Sequence, residues 1–170
     1  YANRSYVIWR GGSAAWVNRR TAKGWETPVK VSRTETTGTA VGADIKTNAR
    51  GEVFGFYPDT GSRGSYAVKS TDGGKTFGPP VKIVTTFASY DIGIPAFNSR
   101  HALLYVSAGA FIRGTSSQVY ALWTDLSGAP GCTSNANAPG ATITSGCNTR
   151  VFFSRSTDGR ALGGGPAKLN

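Results

Sequence analysis

Short runs of alternating apolar and polar residues recur along the chain, and glycine-rich segments separate them. Three segments share one order: an apolar strand ending in an aromatic residue, a second strand-like run, a turn, and a short stretch after a proline. The strand-ending aromatics are Trp9, Tyr57 and Trp123. A period of two is typical of half-buried β-strands, and the 3.6-residue period of an amphipathic helix is absent over any run above about ten residues. We therefore expect an all-β protein.

The spacing inside these segments indicates an internal repeat. An aromatic residue or a glycine stands three positions before each proline, at Trp25, Phe77 and Gly163. A unit of about four short strands with a period of about 40–50 residues has the size of a propeller blade. We predict blade-like units at residues 1–33, 34–86 and 87–170.

One turn in the second unit carries a specific motif. Residues 70–77 read Ser-Thr-Asp-Gly-Gly-Lys-Thr-Phe and fit S-x-D-x-G-x-T-[F/W] at every fixed position. This segment resembles the Asp box, or BNR repeat, of sialidases and related β-propellers. A partial copy keeps Ser156 and Asp158 and departs from the pattern afterwards. The resemblance implies about three four-stranded antiparallel blades of a sialidase-like β-propeller, as part of a six-bladed ring.

Elementary chemistry gives each motif residue a structural role. The residues concerned are Ser70, Asp72, Gly74, Thr76 and Phe77. An aspartate can accept hydrogen bonds from the amides of a tight turn, and glycine permits the positive φ angles found there. The threonine hydroxyl can tie the turn, and the phenylalanine can plug the space between strands. We expect Asp72 to be a turn residue and not a catalytic acid.

Charge narrows the possible partners. Nineteen Lys and Arg against nine Asp and Glu give a net charge of +10, but the basic residues are scattered and form no Lys/Arg-rich run. The sequence holds none of the common nucleic-acid-binding patterns, so we expect no specific nucleic-acid partner. A glycan or an acidic surface is the more plausible partner, and a merely soluble basic surface is the alternative. No apolar run approaches the roughly 18 residues of a membrane span.

The two cysteines frame a loop of small polar residues. Cys132 and Cys147 stand at the ends of the segment 132–147, which is rich in Gly, Pro, Asn and Ser. This arrangement predicts a disulfide that staples the loop in an oxidising compartment, with two reduced thiols as the alternative. We therefore expect a secreted or cell-surface protein. Two cysteines and the single distant His101 are too few ligands for a zinc site, and we expect no metal and no cofactor.

The resemblance also implies what a catalytic site would need. Sialidases use an arginine triad for the substrate carboxylate, an acidic acid/base residue, and a tyrosine nucleophile activated by a glutamate. This chain has three glutamates, and two of them, Glu26 and Glu52, follow turns and do not look like buried bases. The Arg-Ile-Pro tripeptide of the family is absent, because Gly93-Ile94-Pro95 lacks the arginine. The catalytic residues are therefore unknown.

Four residues are candidates for ligand binding. Arg100 and Arg113 flank the insertion in the third unit, and Trp123 and Asp125 end a strand that could face a central channel. Aromatic rings beside charged groups suit sugars, whose C–H faces stack while their hydroxyls find polar partners. The alternatives are solvated loop arginines and aromatic residues that pack adjacent blades.

These observations leave three functional hypotheses. The first is a secreted sialidase-like Asp-box propeller fragment that interacts with glycans and lacks a complete catalytic set. The second is a portion of a sialidase-type exo-glycosidase whose catalytic residues lie mostly outside this segment. The third is a non-catalytic scaffold or protein-interaction propeller. Because three blades leave strand edges and a sheet face open, we expect either the remainder of a propeller or self-association.

Overall fold

The computed structural model describes residues 3–88, 90–93, 101–126, 132, 149–158 and 163–168. In this part of the chain the protein is all-β and contains no helix, as the alternating pattern predicts. The strands are β1 Ser5–Gly11, β2 Ala14–Thr21, β3 Gly24–Trp25, β4 Val29–Lys30, β5 Asp44–Thr47, β6 Val53–Pro58, β7 Gly64–Ser70, β8 Val81–Thr85, β9 Asp91–Gly93, β10 His101–Leu103, β11 Val106–Arg113, β12 Ser116–Leu126, β13 Thr149–Ser156 and β14 Gly163–Lys168.

Most strands form three antiparallel four-stranded sheets. In the first sheet β1 pairs with β2, and β2 pairs on its other side with both β3 and β4. The second sheet has the order β5-β6-β7-β8, and the third has the order β11-β12-β13-β14. In the second and third sheets each strand pairs with its neighbour in sequence, so each of these two sheets is a meander. A small hairpin of β9 and β10 lies between the second and third sheets in sequence.

The sheets pack face to face in chain order, and two apolar clusters fill the spaces between them. Val17 of the first sheet meets Tyr57 and Val68 of the second sheet in one cluster. Phe56 of the second sheet meets Trp123 of the third sheet in the other. Every residue of β6 is buried as a result, because the second sheet is covered on both faces. Burial on both faces gives this strand an apolar run without polar alternation.

Gly55 allows the first two sheets to approach closely. A Cβ atom at this position would lie 3.0 Å from Val68 Cγ2 and 3.1 Å from Ile8 Cδ1. Those contacts are tighter than ordinary van der Waals packing, so the missing side chain at Gly55 sets the distance between the sheets.

Polar contacts also join the second sheet to the third. Glu52 forms an ion pair with Lys69 at 2.7 Å and accepts a hydrogen bond from Ser117, at the start of β12. Burial acts to raise the pKa of Glu52, but bonds from Lys69, Ser117 and Asn48 outweigh it and lower the pKa. The Arg50 guanidinium donates to the carbonyl of Thr115. These contacts fix the end of the second sheet against the β11–β12 turn.

The described part of the chain holds no helix with the length and apolar character that a membrane crossing requires.

The close approach at Gly55 leads to a stability prediction. We expect Gly55→Val to lower the free energy of unfolding by about 1–3 kcal/mol, because the added methyl groups overpack the space between the sheets. The control is Gly109→Val, since a Cβ at Gly109 meets no atom within 4 Å. Urea denaturation followed by tryptophan fluorescence measures both variants. Equal stabilities of the two would contradict the packing argument.

Candidate functional site

The turn between β7 and β8 is organised around one carboxylate. Asp72 accepts hydrogen bonds from the Ser70 hydroxyl at 2.7 Å, the Lys75 amide at 2.9 Å and the Thr76 hydroxyl at 2.6 Å. Gly73 and Gly74 have φ angles of 73° and 83°. Only glycine adopts this conformation without a steric penalty, so the two glycines permit the tight loop. These bonds give Asp72 the turn role expected from the sequence.

The same turn anchors the second sheet to the first. The Tyr6 hydroxyl and the Arg19 guanidinium both donate to the carbonyl of Gly73 at 3.1 Å. Arg19 is buried and also forms an ion pair with Glu26. Phe77, at the end of the turn, packs against the cluster between the two sheets. The turn therefore joins the second sheet to the first.

The partial copy of the motif begins in the same way. The Ser156 hydroxyl donates to Asp158 at 2.9 Å, as Ser70 does to Asp72. The Gln118 side chain donates to the carbonyl of Thr157 at 2.9 Å. Residues 159–162, which depart from the pattern, lie outside the described part of the chain.

Two further aspartates bind the segments that connect the sheets. Asp59 stands two residues after Tyr57 and accepts the amides of Thr37 at 3.1 Å and Gly38 at 3.0 Å. Burial acts to raise the pKa of Asp59, but bonds from Ser62, Thr37 and Gly38 outweigh it and lower the pKa.

Asp125 has the same position and the same task in the third sheet. It stands two residues after Trp123 and accepts the amides of Phe87 at 2.7 Å and Ala88 at 2.9 Å. Burial raises the pKa of Asp125, and the amide bonds offset only part of that effect. Both carboxylates are nearly fully buried and tie a connecting segment to the middle of a sheet.

The ligand-binding candidates do not meet at one place. Trp123 is buried and stacks on Phe152 with ring centroids 6.1 Å apart. Asp125 is occupied by backbone amides, and Arg113 lies exposed at the opposite end of the third sheet. Seven residues of β12 separate Trp123 from Ser116, which pairs with Arg113, so about 23 Å lies between them at about 3.3 Å per residue. Arg100 lies outside the described residues.

A tyrosine and a glutamate are hydrogen-bonded in the core. The hydroxyl of Tyr57 donates to Glu35 at 2.8 Å, and Tyr57 is fully buried. Burial, followed by the bond to Glu35, raises the pKa of Tyr57 far above its ordinary value. A phenol that is inaccessible and hard to deprotonate is a structural donor and not a nucleophile. The sequence gives no signal for this pair, because 22 residues separate its members.

An open cleft lies where the first strands of the second and third sheets begin. It has a volume of about 340 Å³ and is lined by residues 42–44, Lys46 and residues 105–107. Asp44 pairs with Lys46 at 2.9 Å, and its other oxygen accepts the amide of Ala108 at 2.9 Å. The ion pair therefore sits at the junction of β5 and β11.

Tyr105 forms the aromatic side of this cleft, and Tyr90 packs against it. Tyr105 is half-exposed and meets Tyr90 edge-on, with ring centroids 5.9 Å apart. Burial, followed by the hydrogen bond between the two hydroxyls, raises the pKa of Tyr90, so this phenol stays protonated. Gly42 has a φ of 54°, and a Cβ there would overlap the ring of Tyr105. The missing side chain lets the ring lie flat against the chain.

The cleft offers the groups that carbohydrate recognition uses. An exposed aromatic ring can stack on the C–H face of a sugar, and the adjacent carboxylate, ammonium and hydroxyl groups can bind its hydroxyls. The sequence predictions did not include Tyr90, Tyr105, Asp44 or Lys46. Pairs of aromatic residues near strand starts were the available signal, but the segments that meet here lie about 60 residues apart in the chain.

Neither a metal site nor the predicted disulfide is defined. The residues that the structure describes include no cluster of three or more His, Cys, Asp or Glu that could hold a metal ion. Cys132 packs beside Ala88, Leu104 and Leu126. Cys147 lies outside the described residues, so its bond to Cys132 stays a prediction.

The fold and site thus define an all-β protein of packed four-stranded antiparallel sheets, with a polar aromatic cleft between the second and third sheets. Comparison of the chain with protein-family models, with curated proteins and with solved structures finds no match.

The carboxylate in the 70–77 turn predicts an acid-sensitive contribution to stability. Burial acts to raise the pKa of Asp72, but bonds from Thr76, Ser70 and Lys75 outweigh it and hold the pKa well below 3.8. The ionised group therefore stabilises the fold above the unfolded pKa, and this contribution is lost as the pH falls through the folded pKa. We expect Asp72→Asn to be less stable than the wild type at neutral pH and to lose less stability on acidification.

Denaturation at a series of pH values from neutral to strongly acidic measures this effect. Thr76→Val keeps the carboxylate but removes one donor, so its acid dependence should be intermediate. Superimposable profiles of wild type and Asp72→Asn would contradict the assignment.

Asp59 and Asp125, the two buried aspartates that hold the connecting segments, are called the aspartate clamps. We expect their substitution to cause larger losses of stability. Asp125→Ala leaves the amides of Phe87 and Ala88 without their acceptor and should lower the free energy of unfolding by about 1–3 kcal/mol. Asp59→Ala should cost a similar amount. The exposed Lys23 in the turn between β2 and β3 provides the control, and its alanine variant should change stability by less than about 0.5 kcal/mol. A loss of stability in Asp125→Ala no larger than in Lys23→Ala would show that the bonds from Phe87 and Ala88 contribute little.

Proposed function

We propose that this protein is a secreted or cell-surface, sialidase-like Asp-box propeller segment that binds glycans and lacks a complete catalytic set. Two observations support the propeller part. Three four-stranded sheets pack face to face in chain order, and the 70–77 turn has an Asp at its centre with the following Phe between two sheets. This arrangement is what the motif resemblance implies for adjacent blades.

The half-exposed ring of Tyr105 beside the Asp44–Lys46 ion pair carries the glycan-binding part of the proposal. Small-molecule sites are typically lined by aromatic side chains together with a few convergent polar groups. Here the ring borders a polar cleft, so a ligand with both an apolar and a hydroxyl-rich surface fits it best. A pyranose sugar has both surfaces.

Charge points to an anionic glycan. The chain carries a net charge of +10, and Lys46 lines the cleft. Arg10 lies close enough to Tyr90 for its charge to act on that phenol. A carboxylated or sulfated sugar would approach such a surface faster than a neutral one.

The chemistry of the described residues favours binding over hydrolysis. Tyr57, which has a glutamate partner, is fully buried, and its raised pKa opposes nucleophilic attack. The Tyr90 hydroxyl is bonded to the Tyr105 hydroxyl, and the raised pKa of Tyr90 makes it a poor nucleophile as well.

The test is a glycan array with acidic and neutral glycans, followed by isothermal titration calorimetry of the glycans that bind. We expect acidic glycans to bind, and we expect Tyr105→Ala to weaken binding by about 1 kcal/mol, or about fivefold in Kd. Tyr105→Phe keeps the ring and should lose less affinity. Phe111→Ala, which removes another half-exposed ring outside the cleft, is the matched control and should bind normally.

Two results would overturn the proposal. If Tyr105→Ala bound glycans with wild-type affinity, the cleft would not be the site. If the wild type bound no glycan, the glycan-binding function would be wrong. A fluorogenic sialoside should remain uncleaved under the same conditions.

A further inference from the structure

The two sheet–sheet interfaces follow one plan. In each sheet the strand-ending aromatic lies directly opposite another aromatic on the next strand, as in Tyr57–Tyr66 and Trp123–Phe152. Both pairs point toward the preceding sheet, and we call this side the front face. The residue just before the aromatic, such as Phe56, points toward the following sheet, and we call that side the back face.

The third sheet exposes its back face. Leu122 precedes Trp123 as Phe56 precedes Tyr57, but Leu122 is 37% exposed whereas Phe56 is fully buried. Phe111, on the neighbouring strand, is 45% exposed and stacks on Tyr120 with ring centroids 5.6 Å apart. Val151 extends the same apolar surface across β13. The back face of the third sheet therefore carries apolar and aromatic side chains, like the back face that the second sheet buries.

The first sheet exposes its front face. Val7, Trp9 and Trp25 line an open groove of about 260 Å³ together with Asn18. Trp25 stands three residues before its proline, as Phe77 does, but Phe77 packs between two sheets while Trp25 is 53% exposed. The front face of the first sheet therefore carries a residue, Trp25, in the position that fills an interface in the second sheet. No described residue from another sheet packs on that face.

A polar pair on the third sheet repeats one that already joins two sheets. Tyr6 and Arg19 lie directly opposite each other on the back of the first sheet and both bind the Gly73 carbonyl of the next sheet. Tyr120 and Arg155 lie opposite each other at the same register on the third sheet. The exposed back face thus offers the same phenol and guanidinium donors.

We propose that the back face of the third sheet docks on the front face of the first sheet in a second copy of this chain. A second copy fits because it presents a front face with a groove and a plug residue, as the internal interfaces require. The contact is head-to-tail, so each copy has one face of each kind. Two copies close on themselves if the rotation between them permits it, and longer assemblies form if it does not.

The charges predict how this association responds to salt. Both copies carry a net charge of +10, and Arg155 and Arg20 lie exposed beside the two apolar faces. Repulsion between the copies is screened by salt, with a Debye length near 10 Å at about 0.1 M, whereas apolar burial is not weakened. Association should therefore tighten as sodium chloride is added.

The test is the solution molar mass of the full chain, measured by light scattering and sedimentation over a range of protein and salt concentrations. We expect twice 17.8 kDa or a higher multiple. Leu122→Lys, on the back face, and Trp25→Lys, on the front face, should each give monomers. Leu103→Lys is the matched control, because Leu103 is 38% exposed and lies on neither face, so it should associate normally.

Mixing the two variants tests the head-to-tail arrangement. Leu122→Lys retains an intact front face and Trp25→Lys retains an intact back face, so the mixture should form a heterodimer although neither variant associates alone. Circular dichroism checks that each variant folds, and Phe111→Lys replaces Leu122→Lys if that variant does not.

Several results would overturn the proposal. A wild-type monomer at every concentration would do so, and so would normal association of either single variant. If the wild type associates but the mixture of Leu122→Lys and Trp25→Lys stays monomeric, the contact joins like faces. That result would also contradict the head-to-tail arrangement.

Discussion

The burial of β6 on both faces is the constraint on which the rest of the molecule depends. A strand with six consecutive buried residues needs a sheet on either side, and the first and third sheets supply them. The second sheet is therefore stabilised by its neighbours as much as by its own hydrogen bonds. Within the described residues the outer sheets receive the same cover on one face only, and their other faces display large apolar side chains.

Carboxylates accepting backbone amides complete what the apolar packing begins. Asp72 orders a turn within a sheet, whereas Asp59 and Asp125 hold the chain where it passes from one sheet to the next. Buried amides of a connecting segment that are not paired with a strand need another acceptor. These three carboxylates are thus occupied by hydrogen bonds within the fold, whereas Asp44 lies beside an open cleft.

Features encoded by neighbouring residues could be predicted from the sequence. The strands around Tyr57 and Trp123 follow from alternation and repeat spacing, and the bonds to Asp72 follow from an eight-residue motif. Trp123 is different, because its burial depends on a facing sheet that no local pattern reveals. The ligand-binding interpretation of its position and the alternative of packing look identical in the sequence.

The cleft could not be predicted for a related reason. Its aromatic side comes from Tyr105 and its ion pair from Asp44 and Lys46, which meet only because the third sheet packs on the second. The bond between Tyr57 and Glu35 likewise depends on how a connecting segment crosses a sheet edge. Whether a segment forms a strand depends on its own residues. A site made by two sheets depends on how those sheets pack against each other.

The aspartate clamps separate the path of the chain from the identity of the residues along it. Asp59 and Asp125 recognise the main-chain amides of residues 37–38 and 87–88, and every amino acid except proline offers such an amide. The two aspartates themselves therefore require only backbone amides, whereas packing still limits Gly38, where a Cβ would overlap the Gly61 nitrogen, and the fully buried Ala88. Because the second of these segments leads into Tyr90, Asp125 fixes the course of the chain toward the cleft without specifying the exposed side chains that line it.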